Sequence, residues 1–263
     1  MISAFERDAR VCSDSSFEKT AERAAAFIFK NLKDESGRLL RRWCDGEARY
    51  PAYLCDYAQM TMAWLDLYET TYDPVWFRKG FELSNEIKRL FRNENGPFYD
   101  TGTDGEVLLT RNAEGYDGVE PSGNSGVANA FLRLNSYGLE SEFFEDAQRI
   151  FRCFSPMINQ TGSSFCSMLS GIHFSLSSPK EVVISGRRGD AETEALLSEV
   201  RREFHPNMVT AFLDDGNSKL TEEIIPLAFG RPMLNARATV YVCQNQACKL
   251  PVHTVEELRE LLV

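Results

Sequence analysis

The chain has 263 residues and a formal net charge of −10. That acidity argues against a nucleic-acid-binding or anionic-membrane surface, which needs clustered Lys and Arg; the pairs Arg41-Arg42, Arg187-Arg188 and Arg201-Arg202 are too short to reverse it. Apolar residues make up 43% of the sequence, enough for a large core, yet no apolar run approaches the ~20 residues of a membrane span.

The N-terminus, Met1-Ile-Ser-Ala-Phe-Glu-Arg-Asp-Ala-Arg10, carries acid early and has no apolar h-region, so it does not read as a signal peptide. Seven Cys stand at 12, 44, 55, 153, 166, 243 and 248, an odd and scattered set. A disulfide framework is normally even and dense. A reduced, cytoplasmic setting is therefore expected, with most cysteines acting as small buried hydrophobes.

Ile2, Phe5 and Ala9 stand at helical spacing with nothing upstream to cap them, which reads as a helix cut from a longer chain. Ser15-Ser-Phe-Glu18 has the form of a capping box, and Ala21, Ala24, Ala25, Ile28 and Leu32 follow on one face. After Gly37, Arg38 to Gly46 reads as a short irregular or extended segment with an Asp-Gly turn. From about Pro51 to Tyr72, the residues Leu54, Tyr57, Ala58, Thr61, Trp64, Leu65 and Tyr68 form a stripe wide enough to imply contact on more than one side. Asp73-Pro74 opens the next helix, in which Trp76, Gly80, Leu83, Ile87 and Leu90 step by four and three. The very short joint predicts an antiparallel hairpin.

Asn95 to Ser125 is the longest departure from helical pattern. Connections beyond ~12–15 residues in a compact domain are normally functional or disordered. Phe98, Tyr99, Val107, Leu108 and Leu109 argue against disorder, so this loop is the leading candidate for a site. Val127, Ala130, Phe131 and Leu134 then mark a helix ended by Gly138. Ser141 opens another, with Phe144, Ala147, Phe151 and Phe154 expected inward, which makes a second hairpin. Ser163 to Leu176 supplies one more helix. At Pro179 the character changes. Strands are expected at 181–185, 208–213 and 238–242, a helix at 190–204, and a terminal helix after the capping box Thr254-Val-Glu-Glu257. The expected fold is mainly α: a partial α/α toroid over 1–178 with a small α/β unit over 179–263. In a closed ring each helical hairpin buries its face only against its neighbours, so about six are needed, and only about half that number is visible.

Several stretches together resemble the YyaL / spermatogenesis-associated thioredoxin-domain family. They are Gly46-Glu-Ala, Leu54-Cys-Asp-Tyr-Ala58, Leu67-Tyr-Glu69, Pro97-Phe-Tyr99, Glu120-Pro-Ser-Gly-Asn-Ser125 and the tail Tyr241-Val-Cys-Gln-Asn-Gln-Ala-Cys-Lys-Leu-Pro251. The resemblance covers essentially the whole chain. It implies an N-terminal thioredoxin-like domain, a six-hairpin glycosidase-like toroid related to sugar epimerases, and a small α/β tail. Set against that family, the chain is expected to lack the thioredoxin-like domain and roughly the first half of the toroid. Cys55 stands where the family usually has an acid before Asp56.

Within this frame Asp56, Asp117 and Glu120 are the candidate acid/base carboxylates, since paired carboxylates are the usual equipment of glycoside hydrolysis. A plainer role for Asp56 is in the first turn of its helix, favoured by the helix dipole. Ser122, Asn124 and Ser125 offer hydrogen bonds to sugar hydroxyls beside a helix N-terminus, or simply form a capping turn. Trp43 offers a face for a sugar ring, or simply packs on a surface loop, the plainer reading. Arg42 and Arg111 offer a fork for a carboxylate, and Tyr57 lies on the striped helix beside Asp56. The three histidines, His173, His205 and His253, sit in no matching segment, which disfavours epimerase chemistry. Cys243 and Cys248 give two ligands where a structural zinc needs four; burial as a strand-end pair is expected over a disulfide. Gly186-Arg-Arg-Gly189 reads as a plain turn rather than a phosphate loop.

The expected function is therefore binding, with or without processing, of a carbohydrate-like ligand, with no cofactor and no metal. If the parent is an enzyme, it is glycoside hydrolase-like or sugar-modifying. The alternative is a non-catalytic interaction module attached to a redox domain. The expected partners are a missing N-terminal half or thioredoxin-like domain, or a second copy meeting at the truncated edge.

Overall fold

The computed structural model describes residues 1–12, 14–94, 96–216, 218–245 and 247–263; Asn95, where the long loop was set to begin, lies outside them. The fold is mainly helical. Helices α1 (Ile2–Cys12) and α2 (Ser15–Asn31) open the chain. The cap of α2 is Asp14, whose Oδ1 accepts from Ser16 N at 2.8 Å, and not the expected Ser15. A carboxylate at this position gains from the helix dipole as well as from the hydrogen bond, which a hydroxyl does not.

Strands β1 (Leu40–Cys44) and β2 (Glu47–Pro51) form an antiparallel hairpin where the sequence suggested only an extended segment and a turn. Asp45 and Gly46 take φ values of 53° and 83°, the pair of left-handed conformations that a two-residue hairpin turn needs. Helices α3 (Leu54–Thr71) and α4 (Pro74–Phe91) form the predicted hairpin, with Asp73 accepting from Val75 N at 2.9 Å. Helices α5 (Gly123–Ser136) and α6 (Ser141–Thr161) form the second, followed by α7 (Cys166–Leu176). In α6 it is Phe143 that points inward, stacked edge-to-face on Phe131 at 4.8 Å, whereas Phe144 is exposed. Pro156 lies inside α6 and cannot donate to the carbonyl four residues back; the Ser155 hydroxyl donates to Arg152 O instead, at 2.9 Å.

Helix α3 is buried on nearly every side, lying among α1, α2, α4 and α5. Its broad stripe is explained by those neighbours. It meets α5 closely because two glycines face it: a Cβ on Gly123 would lie 2.9 Å from Leu54 Cγ, and one on Gly126 would lie 2.9 Å from Ala58 Cβ. This seam sets the N-terminal ends of α3 and α5 side by side.

Strands β3 (Lys180–Gly186), β4 (Met208–Asp214), β5 (Thr239–Gln244) and β6 (Ala247–Cys248) form one sheet in the order β4-β3-β5-β6. The β3–β4 pair is parallel, with α8 (Ala191–Arg202) as crossover; the other two pairs are antiparallel. Two short elements escaped the sequence reading, α9 (Ser218–Ile224) and β6; α10 (Val255–Leu262) closes the chain from its expected Thr254–Glu257 box. The Gly186–Gly189 stretch is a turn between β3 and α8.

One continuous apolar core runs from the helices into the sheet. At the junction the Tyr72 hydroxyl donates to Thr210 Oγ1 at 3.2 Å. Arg188 and Arg201 donate to the last carbonyls of α3, Thr71 O at 3.1 Å and Thr70 O at 2.8 Å, which places cations at the negative end of its dipole. No described helix is long and apolar enough to cross a membrane.

Candidate functional site

The long loop is stitched to the start of α5. Asn124 is fully buried; its Oδ1 accepts from Phe98 N at 2.8 Å, and its Nδ2 donates to Phe98 O and Glu114 O, both at 2.9 Å. Phe98 in turn packs against Phe131. Ser122 caps α5, its Oγ accepting from Ser125 N at 3.1 Å and lying 2.9 Å from Ser125 Oγ. Ser122, Asn124 and Ser125 lie together at the start of α5, buried and bonded to one another or to the loop. In these contacts they hold the backbone.

Asp117 is occupied in the same way. Its Oδ1 accepts from Ser122 N at 2.9 Å, and its Oδ2 accepts from Ser167 N at 2.8 Å and Met168 N at 3.1 Å. One carboxylate therefore ties the N-terminal ends of α5 and α7 together, satisfying donors that helix ends leave free. The structure thus places Asp117 between two helix ends, with both carboxylate oxygens already accepting hydrogen bonds. Tyr57 is buried, and its hydroxyl accepts from Leu39 N at 3.1 Å beneath the Arg38 guanidinium. Arg111 is a strut of the loop, donating to Thr101 O and stacked 4.1 Å above the Tyr99 ring.

What remains open is the rim where α3 begins. Asp56 Oδ2 accepts from Tyr53 N at 2.8 Å and lies 3.7 Å from Arg41, with about a quarter of the side chain exposed. Its capping role is the plainer of the two readings. Arg41 stacks over the Tyr53 ring at 4.7 Å. The Cys55 thiol is pushed up by burial, and the charges of Asp56 and, more weakly, Glu120 add to that, so these three groups are neighbours. Glu120 itself is exposed. Arg42 and Trp43 stand on the hairpin, exposed, with Trp43 edge-on to Phe27. Inside the loop, burial raises the Asp100 carboxyl although Glu114 N donates to it. Among the described residues no cluster of three or more His, Cys, Asp or Glu is placed to hold a metal.

The densest set of buried charges was missed. It lies toward the far end of α3, where Arg133 of α5 reaches Asp66 at 2.7 Å and Glu69 at 3.1 Å, and Arg10 reaches Glu69 at 3.6 Å. Burial works against the Arg133 charge, but Glu69 and Asp66 outweigh it and hold the guanidinium above its ordinary value. Tyr137 Oη lies 2.6 Å from Glu69 Oε1. Glu6 of α1 is wholly buried beside this group; burial pushes its carboxyl up to about 7, Glu18 and Asp66 add to the rise, and Thr70 and Arg10 oppose it. The sequence signal was there: Asp66 and Glu69 interrupt the apolar stripe of α3 at a spacing of three, on the scale of one helical turn.

The Cys243–Cys248 expectation is also corrected. The two sulfurs form a disulfide across β5 and β6, in register with each other, while Cys12, Cys44, Cys55, Cys153 and Cys166 are free.

No family model matches the chain. Over 273 residues it is 29% identical to spermatogenesis-associated protein 20 of Homo sapiens, covering 100% of this chain and 35% of that protein. The rat protein of the same name is 28% identical over 276 residues, with the same coverage. An uncharacterised protein of Caenorhabditis elegans is 31% identical over 255 residues, 92% of this chain and 34% of its own length. The chain thus spans about a third of the length of the curated relatives it matches. The likeness runs end to end, in agreement with the resemblance drawn from the motifs.

Proposed function

Because the whole chain matches about a third of spermatogenesis-associated protein 20, we propose that it is a non-catalytic interaction module of a longer, thioredoxin-domain-type protein. In this reading residues 1–178 are an arc of a six-hairpin ring and residues 179–263 a small α/β unit set against its end. The free cysteines fit a cytoplasmic setting. The observation that carries the reading is Asp117: a carboxylate that accepts three backbone N–H bonds is committed to holding helix ends. The outer face of the same loop turns Val107, Leu109 and Val119 fully outward, an apolar surface suited to the part of the longer protein outside the matched third.

A second reading is favoured by the rim of α3. There Trp43 is exposed, Arg41 is stacked on Tyr53, and Asp56 keeps some access to water beside Glu120. A carbohydrate-like ligand would lie across these groups, with its ring against the indole.

The test combines turnover and melting. Wild type, Asp117→Asn and Asp56→Asn are assayed against a panel of aryl glycosides and melted in parallel. The module reading expects no turnover by the wild type, and a melting temperature about 2–6 °C lower for Asp117→Asn through its lost helix-end bonds. Wild-type turnover that Asp56→Asn abolishes at unchanged melting temperature overturns it. Sugar binding in calorimetry that is lost in Trp43→Ala supports the second reading.

A further inference from the structure

Beside the Cys243–Cys248 bridge lies the Arg231 guanidinium, which makes no salt bridge among the described residues. Arg231 Nη2 is 3.3 Å from Cys243 Sγ and 3.5 Å from Cys248 Sγ. Among the described residues these are the hydrogen bonds that its guanidinium makes, and no carboxylate lies within 4 Å of it. Neutral disulfide sulfur is a weak acceptor and gains little from a half-buried cation. Thiolate sulfur gains a great deal. Glu181, the register partner of Cys243, is the acid that feels Arg231, and its own burial disfavours the charged form that would compete for the guanidinium.

The two sulfurs are not equivalent. Cys243 is 2% exposed in the middle of the sheet, whereas Cys248 is exposed on the edge strand β6. The bridge also closes a loop of only five residues' separation. That loop is already held by the β5–β6 pairing and by Lys249 N donating to Val242 O at 2.9 Å. So short a loop removes less chain entropy than a long one, and the backbone pairing holds the hairpin beside the bond.

The geometry points to Cys243 and Cys248 as a redox-active dithiol/disulfide pair, with Arg231 as its thiolate-stabilising residue and a dithiol as its reductant. The thiolate of the incoming dithiol attacks Cys248 Sγ, the sulfur within reach. A bond forms between those two sulfurs, the Cys243–Cys248 bond breaks, and its electron pair leaves on Cys243 Sγ facing Arg231. The second thiolate of the reductant then attacks its own sulfur in the mixed disulfide and releases Cys248, which takes up a proton. Two electrons have moved. The dithiol leaves as a cyclic disulfide, and of the two protons it gave up one is on Cys248 and one is in solvent. A leaving sulfur held as thiolate departs faster, and Arg231 Nη2, 3.3 Å from Cys243 Sγ, is within reach to hold it.

The experiment uses the full chain with dithiothreitol as the probe. Native protein is incubated with reduced and oxidised dithiothreitol, trapped by alkylation and analysed by peptide mass spectrometry, with circular dichroism to monitor folding. The pair is expected to open and reclose reversibly with the fold retained. Arg231→Met slows opening about tenfold, because it removes the charge that favours the leaving thiolate, and Arg231→Lys restores part of the rate. In Cys248→Ser, the thiolate absorbance of Cys243 appears below the ordinary thiol range of about 8–9, and Arg231→Met moves it up. A bridge that opens only on unfolding makes the pair a staple and overturns the inference. Thiols that do not reclose in oxidised dithiothreitol overturn it as well. So does an opening rate indifferent to Arg231 in a folded Arg231→Met variant.

Discussion

Arg133 of α5 and Asp66 of α3 meet at 2.7 Å with both side chains almost shut off from water. Glu69, one turn further along α3, takes the other arm of the same guanidinium at 3.1 Å. Two inner helices are thus joined by charge at one end and by glycine contact at the other. Removing one partner of such a group leaves a buried charge uncompensated. Arg133→Leu is expected to lower stability by about 3–5 kcal/mol, read from urea unfolding midpoints. A loss under about 1 kcal/mol would mean that water enters the cluster and screens it.

The glycine end makes its own prediction. A methyl on Gly126 would sit 2.9 Å from Ala58 Cβ. Overpacking of about 1–3 kcal/mol then exceeds the ~1 kcal/mol of helix propensity that Gly→Ala supplies. Gly126→Ala is expected to be destabilising in the wild type and stabilising, or neutral, in an Ala58→Gly background. The double-mutant cycle measures the coupling directly. Additive behaviour would show that α3 and α5 shift apart without resistance.

Glu6 gives a pH signature. Its carboxyl is raised from 4.5 to about 7, chiefly by burial. The folded state therefore binds this proton more tightly than the unfolded state does. The stability it contributes is fully present below about pH 4.5 and is lost as pH rises to about 7, on the order of 3 kcal/mol at most. Other groups titrate in the same window, so the reading is a difference: wild type minus Glu6→Gln, unfolded at each pH. The difference should slope between those pH values and flatten above. A flat difference throughout would place the Glu6 carboxylate in contact with water.

The helices were legible because their signals are local. Asp73-Pro74, Gly138 and the Thr254–Glu257 box each fix an end within a few residues, and the apolar steps of α4 can be read without knowing what they pack against. Local signals also misled where two candidates stood side by side. Asp14 preceded Ser15 as cap, and Phe143 rather than Phe144 turned inward. The hairpin β1–β2 was half seen, because its Asp-Gly turn is a local mark while its pairing is not. The surroundings of Asp117 and Asn124 were not legible for one shared reason. Asp117 meets Ser167 across 50 residues and Asn124 meets Phe98 across 26, so a polar residue in a loop gives no sign of whether its partner is a ligand or the chain's own backbone. Cys243 and Cys248 are five apart and opposite each other in register, yet their joining depends on β6, a strand too short to announce itself.

The Asn124 side chain treats Phe98 as a neighbouring strand would, accepting from its N–H and donating to its carbonyl. A side-chain amide has the same donor and acceptor as a peptide group, so one residue of α5 serves as a single rung of ladder for the loop. The loop is therefore latched at that rung rather than draped over the helix. For hydrogen exchange, this ties the Phe98 amide to the fate of α5. It will be released to solvent when the helix start opens and not when the outer loop moves, so a segment that looks like a free flap in sequence shares the lifetime of the helix it precedes.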